Sequence, residues 1–264
     1  MTVLRDLIFS EEPGFRPLSL DLHLPPGDDG NPHPVVLELH GGGWRVGRRG
    51  IFTPLVTEQR SFGRIAAAGF AVVAADYRLS AEAHFPAQVD DVLAALDWIA
   101  AHADEYRLDP SRVVLWGGSA GGTLAALAAI RRPTVRGVID WYGPSDLPAM
   151  AAFTADKGTG AVGPSREDLW LGAPVATIPD TAIAASPARQ VKPGLPPFFL
   201  AHGVDDTDVP PQQSELFAAA LRAAGITVSL HLEPGVGHFW RGATDEATDA
   251  LFELGIEFAL GVTS

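Results

Sequence analysis

Val113-Val-Leu-Trp-Gly-Gly-Ser-Ala-Gly-Gly-Thr-Leu-Ala-Ala-Leu127 reads as strand, sharp turn and helix. Four apolar residues, Val113 to Trp116, make a short buried-strand pattern. Gly117-Gly118-Ser119-Ala120-Gly121 follows, and small and aliphatic residues then continue at helical spacing to Ile130. Only a turn too tight for neighbouring side chains lifts a serine hydroxyl clear of a sheet while aiming a helix N-terminus at it. Ser119 is therefore the candidate nucleophile. The competing reading is an ordinary Gly-rich strand-to-helix turn, and the rest of the chain decides between them.

On the N-terminal side, residues 3 to 9 and 18 to 24 alternate apolar and polar, the period of half-exposed strands near a sheet edge. Pro25 to Pro34 is a turn cluster, and Val35 to Leu39 is a buried strand carrying one charge, Glu38. It runs into His40-Gly41-Gly42-Gly43-Trp44. A helical pattern from Pro54 to Ala68 leads to a strand from Phe70 to Ala75, and an amphipathic helix spans Pro86 to His102. Beyond the serine, Arg136 to Trp141 is a strand. Residues 143 to 193 are rich in Ala, Gly, Pro and Thr, with a helical turn only at Asp168 to Leu171, and read as a lid-like insertion. Strands at 197–201 and 227–232 alternate with helices at 211–224 and 244–260. Alternation of this kind predicts an α/β fold: a mainly parallel sheet of about eight strands with helices on both faces, in one domain over residues 1–264.

Composition narrows the chemistry. A net charge of -13 disfavours nucleic acid and anionic membrane surfaces as partners. The absence of cysteine removes thiolate nucleophiles, disulfides and Cys-ligated metals, which leaves serine as the nucleophile. No 18-residue apolar run is present. The stretch from Met1 to Phe9, with Asp6 inside it, does not read as a secretory signal, so a cytoplasmic protein is expected.

A serine nucleophile needs a base, a carboxylate to orient that base, and donors for an oxyanion. Where the serine stands on a strand-to-helix turn, these partners follow in the order acid, then histidine, on loops after later strands. His231 lies inside a strand pattern. His238 lies in the Gly-rich loop Glu233-Pro-Gly-Val-Gly-His and is the candidate general acid/base. The loop after the strand at 197–201 offers Asp205, Asp206 and Asp208, among which periodicity does not choose. The amide of Ala120, which follows the serine, is one oxyanion donor, and the loop His40 to Trp44 is placed to supply the others. A phosphate-binding reading of these glycines lacks the Lys-Ser/Thr that should follow them. Trp44, Trp170, Phe239 and Trp240 are candidate pocket walls. Arg45, Arg48 and Arg49 read as a solvated loop, and Arg78 and Asp91 as a structural ion pair.

Seven stretches together carry a resemblance: His40-Gly-Gly-Gly-Trp, Asp76-Tyr-Arg-Leu, Phe85-Pro-Ala-Gln-Val-Asp-Asp, Asp109-Pro-Ser-Arg-Val, Gly117-Gly-Ser-Ala-Gly-Gly, Ala185-Ser-Pro-Ala and His202-Gly-Val-Asp-Asp-Thr-Asp-Val-Pro. In this order and over nearly the whole chain, they resemble bacterial carboxylesterases of the α/β-hydrolase fold. The similarity is to the feruloyl-esterase-like group, related to the hormone-sensitive-lipase group. The resemblance implies Asp206 as the acid, four residues after His202, and Gly42 and Gly43 as further oxyanion donors. It implies a serine carboxylesterase that needs no cofactor or metal and acts on small-molecule short- to medium-chain, aryl or sugar-linked esters. An amidase of the arylformamidase or peptidase type is the alternative, and a non-catalytic ligand-binding module a more distant one. Two features depart from the resemblance. Little sequence precedes residue 3 where the lipase relatives carry a helical cap, so a more open pocket is expected. His238-Phe239-Trp240 stands where His-Gly-Phe is common, which adds aromatic bulk beside the site.

Overall fold

The central strands carry apolar residues at consecutive positions, the pattern of strands covered on both faces. In the computed structural model, which describes residues 1–11, 13–27, 30–156 and 163–264, they lie in a single sheet. Its strands are β1 (Thr2–Ser10), β2 (Leu18–Leu24), β3 (His33–Leu39), β4 (Ala71–Ala75), β5 (Leu108–Gly118), β6 (Gly137–Trp141), β7 (Phe198–Gly203) and β8 (Val228–Glu233). Their order is β1-β2-β4-β3-β5-β6-β7-β8. The pairs β1–β2 and β2–β4 are antiparallel, and every pairing from β4 to β8 is parallel. This is the eight-stranded, mainly parallel sheet that the alternation of elements predicts.

The helices are α1 (Phe62–Ala67), α2 (Ala87–Ala101), α3 (Ala103–Tyr106), α4 (Ala120–Arg131), α5 (Leu147–Asp156), α6 (Arg166–Leu171), α7 (Pro179–Ala184), α8 (Gln212–Ala223) and α9 (Asp245–Thr263). Side chains alternate across the sheet into two cores. Val35, Leu37, Leu39, Val113 and Leu115 join residues of α2, α4 and α8 on one face. Val36, Val72, Val114, Trp116 and Trp141 join α1 and α9 on the other. Each buried aliphatic side chain contributes about 1.5–3 kcal/mol relative to exposure, so the doubly covered central strands hold the sheet together.

Two expectations change. The pattern at 54–68 forms a helix only from Phe62, because the preceding residues close into turns: the Ser61 hydroxyl donates to the Thr57 carbonyl at 3.0 Å, and the Val56 amide to Thr53 at 3.2 Å. The insertion at 143–193 holds far more helix than its composition indicates, namely α5, α6 and α7; residues 157–162 of it, like Asp28 and Asp29 of the turn cluster, lie outside the described residues. Leu147, Trp170, Ala182 and Ala185 of this segment are buried in the same core as β3 and β5. Alanine supplies helix propensity without a strong polar stripe, so amphipathic periodicity does not reveal α5.

In a parallel sheet the loops beyond the carboxyl ends of the strands gather along one edge. That edge brings together His40 after β3, Ser119 after β5, Tyr142 after β6, the aspartates after β7 and His238 after β8.

Candidate active site

Ser119 sits between β5 and α4 with φ 55° and ψ -123°, a strained backbone held by its amide donating to the Trp141 carbonyl at 2.8 Å. The flanking glycines are required by close approach. A Cβ at Gly121 would stand 1.9 Å from the Leu39 carbonyl oxygen, and one at Gly117 would stand 2.3 Å from the Gly121 backbone. The turn is thus clamped against β3 and its own helix, which leaves the serine side chain one direction to project.

The partner loops converge on it. A Cβ at Gly203 would lie 2.2 Å from the Val236 carbonyl oxygen, so the loop after β8 rests directly on the end of β7. His238 is buried there, with Nε2 3.0 Å from Ser119 Oγ and Nδ1 2.6 Å from Asp206 Oδ2. A carboxylate only accepts, so Nδ1–H donates to Asp206, and Nε2 of the neutral ring accepts the Ser119 hydroxyl proton. Asp206 Oδ1 accepts the amides of Asp208 and Val209 at 2.8 and 2.9 Å. Its other oxygen also lies 3.3 Å from His202 Nε2. That ring donates Nε2–H to the Val209 carbonyl at 3.0 Å, while Nδ1 pairs with the Ser214 hydroxyl at 2.7 Å. Burial pushes the Asp206 carboxyl up, but the hydrogen bonds from His202 and His238, the attraction of His238 once it is protonated and the Val209 amide outweigh it and hold the group well below the usual carboxylate range.

Geometry therefore separates the three aspartates. Asp205 is exposed, and Asp208 is half-buried with Arg241 at 3.7 Å and Arg166 at 4.0 Å; only Asp206 meets the imidazole. His231 lies within β8 and pairs with Glu233 at 2.7 Å.

The glycine loop closes over the same point. A Cβ at Gly41 would stand 3.0 Å from the Gly118 carbonyl oxygen and 3.4 Å from Ser119 Cβ. Gly42 has φ 119°, and its carbonyl accepts the amides of Arg45 and Val46 at 3.2 Å each, which fixes the loop's curl. Gly43 has φ 61° and packs under the Arg166 stem. Ala120 is the first residue of α4, where the amide has no acceptor within the helix. His40 is stacked on Tyr77 with centroids 4.2 Å apart and is kept neutral by burial.

A cavity of about 580 Å³ opens beside this junction, with Gly41, Gly42 and Gly118 at one end. Val46, Ile51, Phe52, Val56 and Phe239 form its apolar wall, with Tyr142, Thr53, Arg48 and His40 as the polar members. Of the four aromatics expected to line a pocket, only Phe239 does so. Trp44 and Trp170 stack on each other with centroids 4.0 Å apart and a 4° interplanar angle, and Trp170 Nε1 donates to Gln88 at 2.9 Å. Trp240 packs edge-on against Trp141. All three tryptophans are buried in the two cores, Trp44 and Trp170 on one face of the sheet and Trp240 on the other.

Arg49 is not a solvated loop residue. It bonds Asp21 at 2.9 Å and also pairs with Asp6 and Asp76, tying the cavity loop to the sheet. Arg78 pairs with Asp91 at 2.7 Å. Tyr142 and the apolar wall residues Val46, Ile51, Phe52 and Val56 escape the sequence reading as site residues, and Arg48, read as part of a solvated loop, lines the cavity. The position of Tyr142, directly after a parallel strand, is the one signal that could have found it.

Comparison with known proteins gives the family. The BD-FAE profile matches residues 20–221. The chain belongs to the BD-FAE family. The esterase LipQ of Mycobacterium tuberculosis is 32% identical over 242 residues, covering 86% of this chain and 55% of that protein. The carboxylesterase NlhH of the same organism is 33% identical over 217 residues, covering 78% and 66%. The chain thus spans about half to two thirds of the length of these relatives. Esterase 2 of Thermogutta terrifontis in its apo form superposes with a TM-score of 0.76 at 25% identity, over 97% of this chain and 93% of that one. A truncated carbohydrate esterase from gut microbiota shares the fold with a TM-score of 0.81 at 23% identity, over 100% and 96%. The architecture is the α/β-hydrolase fold. Among the described residues no helix is long and apolar enough to cross a membrane.

Proposed function

We propose that this member of the BD-FAE family is a serine carboxylesterase acting on small-molecule esters. The observation that carries the reading is the relay of 3.0 Å from Ser119 Oγ to His238 Nε2 and 2.6 Å from His238 Nδ1 to Asp206. Both links are within the hydrogen-bond reach that activates a hydroxyl nucleophile.

Ser119 Oγ attacks the ester carbonyl carbon as its proton passes to His238 Nε2. Asp206 stabilises the resulting imidazolium without taking the proton. The carbonyl oxygen becomes an oxyanion held by the amides of Gly42, Gly43 and Ala120. Collapse breaks the bond to the alkoxide, which takes the proton from His238 and leaves an acyl-Ser119. Water enters, gives a proton to His238 and attacks the acyl carbon. The proton returns to Ser119 as the acid departs. A cavity of about 580 Å³ with a mainly apolar wall supports short- to medium-chain, aryl or sugar-linked ester groups.

The test is hydrolysis of p-nitrophenyl butyrate. Ser119→Ala lowers kcat by at least about 10⁴-fold with thermal unfolding preserved, and an alkyl phosphonate labels Ser119 alone at one per chain. Retained turnover in Ser119→Ala, or labelling elsewhere, overturns the assignment.

A further inference from the structure

Tyr142 stands one residue beyond β6 with φ 46°, a left-handed conformation that is costly for an aromatic residue. Its amide donates to the Ala201 carbonyl at 2.8 Å, which holds the backbone there. The ring is buried edge-on against the His238 imidazole, with centroids 4.8 Å apart, and against Trp240 at 4.9 Å. This packing fixes where the hydroxyl points. A Cβ at Gly118 would stand 3.2 Å from Tyr142 Oη, so the phenol reaches the residue adjoining Ser119, and both Tyr142 and Gly118 line the cavity. The Thr53 hydroxyl lies beside the phenol and donates toward its oxygen, which leaves the phenol's own O–H to be matched by an acceptor. Burial pushes the Tyr142 hydroxyl well above the ordinary tyrosine range, against a weaker pull downward from the Thr53 hydroxyl and with a further push upward from nearby carboxylates, and it stays a protonated donor across the working range.

A rigid, desolvated donor in a mainly apolar cavity discriminates between ligands that offer it an acceptor and ligands that do not. We propose that Tyr142 is a specificity-determining residue whose hydroxyl bonds an oxygen function, hydroxyl or oxo, carried by the substrate close to the scissile carbonyl. The preferred substrates are then esters with such an oxygen a few bonds from the reacting carbon, ahead of plain alkyl esters of the same size. This rests on the esterase reading above and adds the class of group that the cavity beside Ser119 accepts.

The test compares wild type with Tyr142→Phe on two matched pairs followed by pH-stat: ethyl butyrate against ethyl 3-hydroxybutyrate, and ethyl acetate against 2-hydroxyethyl acetate. The pairs place the oxygen on the acyl or on the alcohol half. The expected result is that the kcat/KM ratio of oxygenated to plain ester falls about tenfold or more in Tyr142→Phe for one of the pairs. Thermal unfolding of the variant is followed alongside. An unchanged ratio in both pairs overturns the inference, including the case where both members of a pair fall together, which marks Tyr142 as packing for His238 only. The esterase reading survives either of these results. Wild type that turns over neither member of either pair overturns that reading and this inference with it.

Discussion

Asp206 and His238 have hydrogen bonds on all of their side-chain polar atoms, whereas His40 Nε2, at the cavity, and the Glu38 carboxyl, buried two residues before it in β3, have none. The first region is a finished relay, satisfied within the protein before any substrate arrives. The second is the end of β3 with the cavity edge that follows it, where polar groups are buried without protein partners, at a cost of about 1–3 kcal/mol for each group left unmade. Glu38 illustrates the difference: burial, with a smaller contribution from Asp76, pushes its carboxyl well above the usual range, so it sits neutral in the core. A satisfied network suits the proposed reaction, and the cavity wall beside it is where we propose that discrimination between substrates resides.

The contrast breaks most sharply at the acid. Asp206→Asn should lower kcat by about 10³–10⁴-fold, because it destroys the acceptor that fixes the imidazole tautomer, while Asp205→Asn and Asp208→Asn should stay within about threefold. Steady-state kinetics on one p-nitrophenyl ester ranks the three, and an equal loss at Asp208 would move the relay. Next in size is the clamp beneath the serine. Gly121→Ala should destabilise the fold by about 2–4 kcal/mol, since the new methyl meets a backbone carbonyl that cannot yield; chemical denaturation measures it.

On the wall, Phe239→Ala should raise KM severalfold with a smaller change in kcat, whereas Trp170→Phe should lower the unfolding midpoint with KM little changed. The reverse pattern would put Trp170 in the pocket after all. The smallest effect concerns Asp140, beside the serine turn. Burial pushes its carboxyl up to about 7, against weaker opposition from His202 and the Gly143 amide. The folded state therefore keeps a proton that the unfolded chain loses near pH 4, and stability falls as pH rises from about 4 to 7. Asp140→Asn should flatten that decline, so the variant gains on wild type between pH 5 and pH 8 in urea titrations. A parallel pair of curves would show that Asp140 is charged in the fold.

Legibility followed the range of the interactions. The serine turn could be read because its glycines answer to atoms of the turn itself and of the adjoining strand. The chain order of acid and histidine could be read because each follows a strand that periodicity exposes. The aromatics were misplaced for the opposite reason. Nothing local distinguishes Trp44, which turns inward to stack on Trp170, from Phe239, which faces the cavity, since the direction is set by where a loop returns to the sheet. The helices of 143–193 were hidden by an alanine-rich composition that has propensity without a face.

Sequence alone determined the doubly covered parallel sheet, the serine on its glycine turn and the two loops from which a base and an acid could come, because hydrophobic period and steric need are written residue by residue. Residue pattern left three aspartates open and the family resemblance implied Asp206, which the tertiary structure brings onto His238; tertiary structure alone decided that the wall comes from residues 46–56 and that Tyr142 points its hydroxyl toward Gly118. Those outcomes depend on strand register and on loops packing across the sheet edge, where residues far apart in the chain share one small volume and the choice among them is made by contact.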